Sequence, residues 1–82
     1  MNKPYIIIQC LNYFEYINLK SYLKANTYEP QYFDSTYTIK VHNLLFEHFN
    51  RIPRYVKHNA PTANVTQVSF RNNRTIYTKL KD

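Results

Sequence analysis

The sequence predicts an α+β domain: two helices packed on one face of a mainly antiparallel sheet, closed by a C-terminal β-hairpin. Three observations lead there. A β-branched run, Tyr5-Ile6-Ile7-Ile8, stands near the start. Asn12 followed by Glu15 is an asparagine version of the helix capping box, and apolar residues at helical spacing come after it. Residues 36–42 and 66–80 alternate apolar and polar with a period of two. The 82 residues are read as one domain, 1–82, with room for a thin core only.

The run over residues 4–10 reads as a strand buried on both faces and therefore central in its sheet. A helix over 13–25 follows, with Asn12 at its N-cap and Glu15 placed to reach back. Leu11 and Tyr16 stand at the hydrophobic-staple positions. Tyr16, Leu19 and Leu23 form its core stripe, and Asn26 with Pro30 beyond it ends the helix. Residues 27–34 read as a loop that presents Tyr28, Tyr32 and Phe33 around Pro30. The next strand, 36–42, sets Tyr37, Ile39 and Val41 inward. Asn43 is placed to cap a short helix, 44–51, with Leu45, Phe46 and Phe49 inward and Pro53 as its stop. Tyr55-Val56-Lys57 reads as a brief strand, and 59–62 as a turn.

The hairpin register follows from the requirement of one coherent apolar face. A two-residue Asn72-Asn73 turn would split the apolar residues between faces. A three-residue loop, Arg71-Asn72-Asn73, pairs Val68 with Ile76 and gathers Val68, Phe70, Ile76 and Leu80 on one side. That register is the expectation, with Asn73 in the left-handed position usually held by glycine.

Composition then narrows function. The chain has no glycine, which removes every phosphate-cradling loop that needs close backbone approach. It also pushes left-handed backbone positions onto asparagine or aspartate. The longest apolar run is too short to span a bilayer, and the start lacks the pattern of a secretory signal, so the expectation is a cytoplasmic, intracellular protein without membrane contact. The single cysteine, Cys10, reads as a buried inert thiol, and His42 and His48 have no partners at metal-ligand spacing. No metal, no cofactor and no small-molecule substrate are expected.

Charge is the sharpest signal. The formal net charge is +6. Residues 1–50 are neutral and hold seven of the nine tyrosines, and residues 51–82 hold the whole excess and all the arginines. Arginine presents the planar fork that suits phosphate. The expected partner is therefore RNA or DNA, or a nucleoprotein complex, bound without catalysis. The candidate contacts are Arg51, Arg54, Tyr55, Lys57, Arg71, Arg74, Tyr77 and Lys79. Tyr55 and Tyr77 interleave the cations as stacking rings would.

Two alternatives stand beside this. The first is a small inhibitor that binds an acidic surface of a protein machine through Tyr28, Tyr32 and Phe33. Its size and codon-biased composition are similar to those of proteins from phages and mobile elements, including anti-CRISPR inhibitors. The second is a metal-independent ribonuclease toxin that uses Arg54, His58, Arg74, Tyr77 and Lys79. The stretch Arg74-Thr75-Ile76-Tyr77 resembles the closing strand of RelE-type ribosome-dependent toxins, without the glycines usual in that family.

Overall fold

The computed structural model describes residues 3–26 and 29–80. Its sheet is ordered β2-β3-β1-β4-β5, and every neighbouring pair is antiparallel. The strands are β1 (Tyr5–Gln9), β2 (Glu29–Phe33), β3 (Thr38–His42), β4 (Asn64–Arg71) and β5 (Arg74–Lys79). The helices are α1 (Tyr13–Ala25) and α2 (His48–Asn59). The connections form two interleaved β-α-β units: β3 lies between β1 and β2, and β1 lies between β3 and β4. This is the split connectivity of ferredoxin-like domains, extended by β5.

The small α+β architecture, the two helices and the C-terminal hairpin agree with the sequence expectation. Helix α1 has the predicted bounds because its cap forms: the Asn12 side chain accepts the Glu15 backbone N–H at 2.8 Å. The Glu15 carboxylate accepts from Asn12 Nδ2 at 3.0 Å, and from the Thr62 hydroxyl at 2.7 Å and backbone N–H at 3.2 Å. The cap thus ties the start of α1 to the turn before β4. No staple forms, since Leu11 is 67% exposed while Tyr16 is buried.

β1 is central, as its run of isoleucines implies, but it is buried on one face only. Ile6 and Ile8 are fully buried beneath the helices, with Val41 and Ile39 opposite them on β3. Tyr5 and Ile7 are half-buried and Gln9 is exposed on the other face, which carries no helix. Tyr16, Leu19 and Leu23 from α1, and Ile52, Val56 and Ala60 at the end of α2, complete the core. Each fully buried Ile, Leu or Val among them contributes roughly 1.5–3 kcal/mol.

Four elements differ from expectation. Residues 29–33 form edge strand β2 and not a loop; an edge tolerates Pro30, whose missing N–H costs a central strand a ladder bond. Tyr37 is not in β3. It caps a short 3₁₀ turn (Asp34–Thr36) with φ 51°, so one left-handed position falls on tyrosine, and the others fall on Asn43, Asn72 and Asn73.

Helix α2 starts four residues later than predicted and continues through Pro53, absorbing the expected strand at 55–57. Ile52 and Val56, with Ala60 a further turn on, make an apolar stripe whose burial outweighs the one hydrogen bond proline cannot give. Pro53 is itself buried. Asn43 does not cap this helix, and Leu45 and Phe46 are exposed at 63% and 89%.

The hairpin takes the two-residue turn. Arg71 pairs with Arg74, Ser69 with Ile76 and Val68 with Tyr77. Asn72 and Asn73 have φ 51° and 62°, the paired left-handed geometry of a type I′ turn, whose twist matches the strands. The expected three-residue register fails because its premise fails: the apolar residues are not on one face. Val65 and Leu80 face the helices, and Val68 and Phe70 face away.

Tyr16 donates a short hydrogen bond to Asp34, and Lys20 Nζ lies 3.3 Å from the same carboxylate. These two bonds hold the Asp34 carboxyl below its ordinary value of 3.8. Burial, then the bond to Asp34, pushes the Tyr16 hydroxyl above its ordinary 10.0. A depressed carboxyl stabilises the fold above the unfolded pKa, and that contribution is lost as the pH falls through the folded value. A raised hydroxyl stabilises the fold below its unfolded pKa and is lost as the pH rises. The melting temperature is thus expected to fall below about pH 4 and above about pH 10. In circular-dichroism melts, Asp34→Asn should flatten part of the acid limb.

Candidate nucleic-acid interface

The basic residues of the second half lie on two elements. Arg51, Arg54, Lys57 and His58 are exposed on α2 at spacings of three and four, on the flank away from Ile52 and Val56. Arg54, Lys57 and His58 line a shallow groove with Phe49, Pro53 and Leu80, the residue that follows β5. Lys57 and His58 also stand in the last helical turn, where the helix dipole favours cations. Glu47 shares a second groove with Arg51 and Arg54.

The hairpin supplies the rest. Arg71 and Arg74 are directly opposed across the strands, on the helix side but at the tip, where they form a concavity with Asn72 and Ile76. Like charges in direct cross-strand register repel. Strand alternation puts Tyr77 and Lys79 on the opposite face from Arg74. Every residue of β5 is exposed, so the cations surround a free sheet edge.

Arg51, Arg54, Lys57, Arg71, Arg74 and Lys79 are all exposed, and among the described residues none is in an ion pair. Glu15 and Asp34, by contrast, are hydrogen-bonded within the fold.

Tyr55 is placed elsewhere. Its ring stacks on Tyr22 at 3.6 Å and 11°, and its hydroxyl donates to Asn18 Oδ1 at 2.7 Å. It joins α2 to α1, with one ring face and the hydroxyl engaged there. Tyr55→Ala is expected to lower stability by at least about 1 kcal/mol while leaving nucleic-acid affinity unchanged, as a melt and a binding titration would show.

Of the residues read as a protein interface, Tyr28 lies outside the described residues. Tyr32 is half-buried against α1, with its hydroxyl 3.4 Å from the Lys20 carbonyl oxygen. Phe33 is 41% exposed on the sheet face that carries no helix. The five residues read as a ribonuclease set do not converge: Arg54 and His58 are on α2, and Tyr77 and Lys79 are on the far face of the sheet. Among the described residues, no three His, Cys, Asp or Glu side chains are grouped as metal ligands would be.

Sequence reasoning missed the aromatic content of that far face. Tyr5, His42 and Phe70 lie there on three adjacent strands. The available signal was the expected packing of both helices on one side of the sheet, which leaves the other side uncovered.

No protein-family model, no curated protein and no solved structure matches this chain.

Proposed function

We propose that the protein binds nucleic acid, alone or within a nucleoprotein complex, and performs no chemistry on it. One observation carries this reading: six exposed cations of residues 51–82 have no carboxylate partner among the described residues, and two of them are held in repulsive register at the hairpin tip. A phosphate group beside Arg71 and Arg74 would relieve that repulsion and accept from both guanidinium forks. The arginines of α2 would take further phosphates along the same flank.

The test is a titration of labelled RNA and DNA, single-stranded and duplex, at about 50 and about 200 mM salt. Affinity should fall steeply with salt, because each neutralised phosphate releases condensed counterions. Affinity that is absent or indifferent to salt would overturn the reading.

A protein partner is supported by a different observation. Phe14 and Ile17 are exposed at 84% and 37% along the outer side of α1, with Tyr13 beside them at 55% and Leu11, just before the helix, at 67%. Helix α1 is therefore apolar on both sides, and only one is used by the core. Retention of one specific protein by the nuclease-treated chain, lost in Phe14→Asp, would favour this second reading.

A further inference from the structure

The sheet face opposite the helices combines a row of rings, flanking cations and polar groups. His42, Tyr5 and Phe70 run across β3, β1 and β4, with ring centroids 4.6 Å apart for Tyr5–His42 and 6.3 Å for Tyr5–Phe70. Tyr77, 68% exposed, extends the row onto β5 through its pairing with Val68. Phe33 stands on β2 with Lys40 Nζ 5.4 Å from its ring centroid. Strand register puts Lys40 and Lys79 on this face, at the β3 and β5 ends of the neighbouring row that runs through Ile7 and Thr66. Thr38, Thr66 and Thr75 fill positions between the rings.

We infer that this face is a platform for single-stranded nucleic acid, with bases stacked on Phe70 and Tyr77 and phosphates held by Lys40 and Lys79. The inference rests on the nucleic-acid reading above and adds a second surface and a strand preference to it. Exposed π-faces reward bases that are not already stacked in a helix, so a single strand gains what a duplex cannot. The face is not a continuous dry patch, since threonines and Gln9 and Gln31 interrupt it, and this disfavours an apolar protein partner. Its described cations are complementary to phosphate. Among the described residues, Glu29 is the one acidic residue whose strand position falls on this face, at the outer strand. At β5 the platform meets the hairpin arginines, so one strand crossing the edge would touch both surfaces.

Binding of a labelled oligouridylate of about ten nucleotides, and of a duplex of equal length, tests this. The variants are Phe70→Leu and Tyr77→Leu, which keep apolar bulk and remove the rings, and Lys79→Glu. Each ring variant should weaken single-strand binding about tenfold and leave duplex binding and the melting temperature unchanged. Ultraviolet crosslinking of 5-bromouridine RNA to the wild-type chain should mark Phe70 or Tyr77. Wild-type single-strand binding that is unaffected by these variants, or crosslinks confined to α2, would overturn the platform and leave the nucleic-acid reading standing. Absence of binding to any nucleic acid would overturn both. A dimer that Phe70→Leu and Tyr77→Leu dissolve, with RNA affinity unchanged, would reassign the face to self-association.

Discussion

Replacing Arg54, Arg71 and Arg74 together by glutamate is expected to lower nucleic-acid affinity by at least about a hundredfold and the salt slope by about two units. All three are exposed, and among the described residues none is in an ion pair, so the change leaves the core intact. Lys24→Glu, an exposed change on α1, should alter affinity little and serves as the charge control. The single change Arg74→Glu separates binding from folding. It turns a repulsive cross-strand pair with Arg71 into an attractive one, worth about 0.2–1 kcal/mol, so the melting temperature should rise while affinity falls. A variant that lost affinity by unfolding would move both quantities downward.

The second large effect concerns the core. Ile8→Ala should cost about 2–5 kcal/mol, a large part of what an 82-residue domain has in total. Ile8 is fully buried on the central strand, between Ile39 of β3 and Val65 of β4. Ile7→Ala, one residue away, should cost clearly less, because Ile7 lies half-buried on the uncovered face opposite Lys40 and Thr66. Urea unfolding followed by circular dichroism measures both. Equal costs would mean that the far face is as fully packed as the helix side.

That contrast also marks where the sequence was legible. Local signals were read correctly: the Asn12 cap and Asn26 bound α1, and the alternation of Ile39 and Val41 placed β3. Signals that depend on tertiary competition were not. Pro53 is a helix breaker by local rules, yet it lies inside α2 because burial of Ile52 and Val56 prevails. Pro30 suggested a loop because nothing nearby revealed that its strand would be an edge. The three-residue hairpin register gathers apolar residues on one side, and the structure divides them between two.

The candidate interface was legible in the same measure. Charge located the cations of α2 and the hairpin, since charge needs only the sequence. The roles of the aromatics needed the fold. Tyr55 read as a partner of Arg54 and Lys57, but one helical turn directs it toward Tyr22. Tyr5 read as core, but alternation along β1 turns it toward His42 and Phe70.

The interleaved strand order has a consequence for how the chain acquires its shape. β1 and its partner β4 lie far apart along the chain, at Tyr5–Gln9 and Asn64–Arg71. Residues 1–50 can pair β1 with β3 and β3 with β2, but one side of the central strand stays open until residues 64–71 arrive. During translation the core therefore cannot close until β4 has been made. Such long-range pairing slows folding relative to a chain of local contacts. The neutral first part and the basic second part are consequently not separable modules, and a stop codon after residue 50 should yield a chain that degradation removes.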